Sequence, residues 1–184
     1  MKLIIGLDSW VIQDGNYKDF KTGDIVSFAL EFYSKSLQKS NNINTTIEHL
    51  KEDLYYVRAK VKYVKKNQVW VIEWYKDGCQ YMAYQEGACE FEEGDIIEGT
   101  IHLGIDPFFY LESYRYKKDF PKMHYRWEIK KIELETTPWE EITPFYFKRD
   151  ESKKSFASIN KTDAHNDLDG DATYLLCCKR LDCE

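Results

Sequence analysis

The chain has 184 residues, 43% hydrophobic and 32% charged, with 26 basic against 32 acidic side chains and a formal net charge of −6. That length and apolar share suit one globular domain with a real core and exclude a disordered chain. The acidic balance weighs against a nucleic-acid binder, which needs a basic footprint to release phosphate counterions, and suits a basic protein partner.

The opening "MKLIIGLDSW" has too short an apolar core for a secretory leader, and no run reaches the length of a membrane span. Five cysteines without framework spacing (Cys79, Cys89, Cys177, Cys178, Cys183) read as reduced thiols in a cytoplasmic protein. An aromatic share of 16% leans towards β structure, with a strand expected over 25–33. A short helix is expected from Thr45 to about Asp53, since Thr45 and Glu48 have capping-box spacing.

Residues 54–84 carry the clearest pattern. Tyr55, Val57, Ala59, Val61 and Tyr63 alternate with Tyr56, Arg58, Lys60 and Lys62, the period of a half-buried strand. A polar turn at Lys65, Lys66 and Asn67 precedes "QVWVIEWY", apolar on both sides, and Asp77-Gly78 then marks a hairpin into "CQYMAY". Three strands in meander order are expected here. Further strands are expected over 96–103, 108–112, 125–134 and 173–178. In "HYRWEIKKIELE" the alternation jumps phase at Lys130-Lys131, which predicts a bulge. Residues 135–171 turn polar and loop-like, although Phe145, Tyr146, Phe147 and Phe156 are costly to leave in water. The fold class is therefore mainly β: an OB-like or related small barrel over 1–134, with a sandwich as the alternative. Residues 135–184 form an extended arm and final strand on the same domain.

"FKTGDIV" at 20–26 returns seventy-one positions later as "FEEGDII" at 91–97. Neither the helix candidate nor the meander has a visible second copy. The likeness reads as one turn leading into a strand, used twice, with Phe20 and Phe91 packed inward, rather than as a duplicated domain.

No catalytic motif is present, and no cofactor or metal site is read. "HNDLDGD" lacks the first carboxylate and final glutamate of a calcium loop, and adjacent Cys177 and Cys178 point to opposite faces of a strand. Two surfaces remain. Asp106, Phe108, Phe109, Tyr110, Tyr114, Arg115 and Tyr116 combine a turn, successive aromatics and a cation, a composition enriched at protein interfaces. Arg58, Lys60 and Lys62 beside Trp70, Trp74 and Tyr81 form the alternative, a basic strip with rings such as single-strand nucleic-acid or oligosaccharide binders use.

The stretches "LGIDPFFYLE", "YRWEIKKIEL" and "KTDAHNDLDGDATYLL" resemble small bacterial cytosolic proteins of the immunity type from polymorphic toxin systems. The resemblance covers the last half of the chain. It implies a folded, non-enzymatic partner that neutralises a toxin by occluding its surface, and it assigns no residue a role.

Overall fold

A computed structural model describes residues 2–144 and 146–183. The opening residues form β1 (Lys2–Asp8) and a five-residue α1 (Ser9–Gln13), followed by β2 (Ile25–Phe28) and β3 (Leu30–Lys39). Next come β4 (Thr46–Lys51), β5 (Leu54–Lys65), β6 (Gln68–Lys76), β7 (Cys79–Gly87) and β8 (Ile96–Ile105). The second half adds β9 (Tyr125–Glu135), β10 (Trp139–Thr143), β11 (Tyr146–Arg149), β12 (Phe156–Ile159) and β13 (Thr173–Arg180).

The predicted meander is β5, β6 and β7, and it belongs to a closed mixed barrel. β5, β6 and β7 pair antiparallel, β7 meets β3 in parallel at Glu31 and Tyr84, β3 pairs with β8, and β8 returns to β5. This is an OB-like ring whose parallel step uses a strand from upstream of the meander. Two expectations fail. Residues 45–53 are a strand and turn, not a helix: Thr46 and Ile47 are β-branched, and β4 pairs along β5 from Thr46 opposite Arg58 to Lys51 opposite Leu54. Residues 108–112 are not a strand either. The Asp106 carboxylate accepts the Tyr110 N–H at 2.9 Å and starts a π-helical turn over Tyr110–Tyr114.

The repeated turns are built identically. The Asp24 carboxylate accepts the Lys21 N–H at 2.9 Å, and the Asp95 carboxylate accepts the Glu92 N–H at 2.9 Å. Gly23 and Gly94 take φ of 92° and 97°, a region open to glycine. Each turn then clamps a strand in the same way. Gly23 N–H donates to Ile129 O (2.8 Å) and Ile129 N–H to Asp24 O (2.9 Å); Gly94 N–H donates to Val61 O (2.9 Å) and Val61 N–H to Asp95 O (2.8 Å). In both strands the clamped residue is followed by an unpaired one, Lys130 in β9 and Lys62 in β5. The bulge expected at Lys130 is there, and it has a twin. Phe20 is buried and Phe91 is partly buried against the core.

The likeness extends beyond the turns. β9, β13 and β1 form a second antiparallel meander, β1 meets β8 in parallel at Gly6 and Gly104, and β8 pairs with β3, whose forerunner β2 pairs with β9. That circuit repeats the first with β1, β2–β3, β5 and β6 answered by β7, β8, β9 and β13. Phe32 and Leu103 face each other across β3 and β8 and are themselves seventy-one positions apart, so the local twofold passes between them. The second copy of the meander escapes sequence reading because its last strand, β1, is the first in the chain.

The core is aromatic. Trp127 stacks on Phe28 with ring centroids 5.4 Å apart and donates its indole N–H to Phe28 O, and Trp74 stacks on Tyr81 at 5.9 Å. A disulfide joins Cys79 to Cys183, with Cα atoms 5.8 Å apart, while Cys89, Cys177 and Cys178 are free. Cys178 is buried and Cys177 partly so, as their alternation requires. Among the described residues no helix is long and apolar enough to cross a membrane. Phe145 lies outside the described residues.

Candidate functional site

The 106–116 segment divides. Asp106, Tyr110 and Tyr114 are buried, Phe108 and Phe109 are partly covered, and Arg115 and Tyr116 are exposed. Asp106 is a structural hub: Tyr84 donates to its Oδ1 at 2.6 Å, and Oδ2 finds no hydrogen-bond donor among the described residues. Burial raises its pKa, against the pull of the Tyr84 hydroxyl and the backbone N–H groups of the turn. Phe109 stacks on Tyr84, and Tyr114 packs on Phe120 at 4.4 Å. Only the Arg115 and Tyr116 end of this predicted interface faces solvent.

The alternative face is altered too. Trp70, Trp74 and Tyr81 are buried, so no base can stack on them. Arg58 is held by Glu98 at 2.8 Å and Lys62 by Glu73 at 3.2 Å, which cancels most of the basic strip; Lys60 remains exposed.

A cleft of about 200 Å³ opens instead where β1 and β8 meet. Its chemistry starts from two glycines. A Cβ on Gly6 would stand 2.8 Å from Asp53 Oδ2, and one on Gly104 would stand 2.9 Å from Glu31 Oε1. The room left by the missing side chains is taken by carboxylates from the β4–β5 turn and from β3. At the twofold-related positions stand Glu86 and Tyr33, so the facing pair of glycines is particular to one half. His102 shares the cleft, with Nδ1 2.9 Å from Asp53 Oδ1; a carboxylate only accepts, so Nδ1 carries the proton. Asp8 accepts the Thr173 hydroxyl at 3.1 Å.

Glu31 has no hydrogen-bond or ion-pair partner among the described residues. Burial, then the charges of Asp106, Glu86 and Asp8, raise its pKa to about 7. Trp10 and Tyr33 also line the cleft and are about half exposed, 47% and 52%. Among the described residues no Lys or Arg lines it. Three carboxylates without a cation repel phosphate and favour a positive group.

The arm contributes a hairpin of β10 and β11, which among the described residues form a two-stranded sheet of their own. Trp139, Ile142, Tyr146 and Phe147 stand on it about half exposed, and Arg149 lies over the Trp139 ring at 4.5 Å. Two contacts tie this region to the cleft's edge: Arg149 donates to Asp171 O at 3.2 Å, near Thr173, and Lys154 pairs with Glu52 at 2.7 Å, beside Asp53. Leu50, half exposed, precedes that same turn. Sequence reading missed both features. Gly6 and Gly104 become neighbours only through a non-local parallel pairing, and the hairpin lies in a tract read as loop.

Comparison with protein-family models, with curated proteins and with solved structures finds no match.

Proposed function

We propose that this protein is a non-enzymatic protein-binding protein, an immunity-type inhibitor that neutralises a basic toxin domain by covering its surface. The observation that carries this reading is the β10–β11 hairpin, with four large apolar side chains half in water beside a carboxylate-rich cleft. Exposed aromatics rimmed by charge are the anatomy of a binding surface, and burying a large side chain fully is worth roughly 1.5–3 kcal/mol. Acidic net charge would steer a basic partner towards it. Cytoplasmic residence belongs to the same proposal: the three free thiols favour a reducing compartment, and the Cys79–Cys183 bond weighs the other way.

The test is to sequence the neighbouring genes and co-express the protein with any toxin-like product they encode. Cells should be rescued and a complex captured. The pair Trp139→Ser and Phe147→Ser should weaken the complex by about 2 kcal/mol, about thirtyfold in Kd, at unchanged stability. Absence of both rescue and complex overturns the reading. The nucleic-acid alternative would instead show salt-steep binding of single-stranded oligonucleotides, which the buried rings and paired basic strip argue against.

A further inference from the structure

The cleft over Gly6 and Gly104 has a chemistry separate from the hairpin's. Glu31 faces it with no counter-charge among the described residues, and Asp53 turns Oδ2 towards the space above Gly6 while Oδ1 holds His102. At about 200 Å³ it has room for six or seven waters of ~30 Å³ each, the scale of a long side chain rather than of a bare ion. Aromatic groups stand beside the carboxylates at Trp10 and Tyr33, both half exposed.

We propose that this cleft is a receptor for the guanidinium of an arginine side chain presented by a protein partner. For its partner the inference rests on the binding role proposed above; for the pocket it rests on the two glycines, the carboxylates and the aromatic rim. Arginine suits it better than lysine for a physical reason. Its planar fork can donate hydrogen bonds to carboxylates on two different elements while its flat face lies against a ring, and it sheds water more readily than an ammonium. At the twofold-related junction Glu86 and Tyr33 stand in place of the two glycines. Proton uptake by Glu31 near neutral pH adds a consequence: arginine binds more tightly at pH 8 than at pH 6.

The experiment is an NMR titration of the full chain with N-acetyl-arginine amide, following the Trp10 indole, assigned by its loss in Trp10→Phe. Arginine amide should give saturable shifts, N-acetyl-lysine amide about tenfold weaker ones, and N-acetyl-citrulline amide, the same shape without charge, none. Glu31→Gln should weaken arginine binding about tenfold or more. Gly104→Ala should do likewise by pressing on Glu31, with the rest of each spectrum reporting an intact fold. No saturable arginine shift, equal binding of citrulline, or undiminished affinity in Glu31→Gln overturns the proposal. Arginine binding without toxin rescue would keep the pocket and refute the immunity role; rescue without arginine binding would do the reverse.

Discussion

Glu31→Gln should make the protein more stable, and only above a certain pH. In the native state burial and neighbouring acids lift the Glu31 pKa from its ordinary 4.5 to about 7. Below 4.5 the carboxyl is protonated folded and unfolded, and no penalty exists. Between pH 4.5 and 7 the unfolded chain gives up this proton to water while the native state keeps it, so the wild type loses stability across this window and the loss levels off above 7. Each tenfold change in proton affinity is about 1.4 kcal/mol, so the loss approaches about 3 kcal/mol by pH 8. Glutamine keeps the shape and cannot ionise. Urea unfolding of both proteins at pH 4.5 and pH 8 isolates the effect, because their remaining ionisable groups are the same. With a urea slope of about 2 kcal/mol per molar, the gap in midpoints should widen by about 1.5 M at the higher pH. A gap of equal size at both pH values would refute the reasoning.

The twin turns make a matched prediction: Gly23→Ala and Gly94→Ala should each cost about 1–2 kcal/mol by denaturant midpoint, and by similar amounts, because positive φ is required at both and no atom crowds either Cβ. Phe32→Ala on the local twofold should cost about 3–5 kcal/mol, since it is buried with its ring edge-on to Trp70 at 4.9 Å. The Cys79–Cys183 bond closes a separation of 104 residues, so reductant should lower stability by up to about 4–5 kcal/mol; an unfolding curve indifferent to reductant would count against the bond.

What is legible in the sequence is what is local. The alternation of residues 54–65 gives β5, Asp77-Gly78 gives the β6–β7 hairpin, and the slip at Lys130 gives the bulge, each within a dozen residues. The twin turns show because positive φ and a carboxylate-capped loop tolerate few residues, while the strands around them need only apolar alternation and so keep no common spelling. The helix expected at Thr45 fails because a capping pattern is worth less than a partner strand: β5 was waiting for β4. Tyr110 and Tyr114 read as interface from composition, yet Asp106 bends that segment inward. The cleft is illegible for a further reason. Gly6, Asp53, Glu31 and Gly104 lie on four separate elements, and nothing near each in sequence marks it.

β3 and β8 each belong to both circuits, so neither half of the chain owns a closed ring. β5, β6 and β3 need β7 and β8 to shut, and β9, β13 and β8 need β1 and β3. No cut between the halves leaves either with an enclosed core, and a nick there should be tolerated only while the pieces stay together. The two halves are obliged to fold as one, like clasped hands rather than beads, and a chain holding a single half could complete the same pairings only by borrowing strands from a copy of itself.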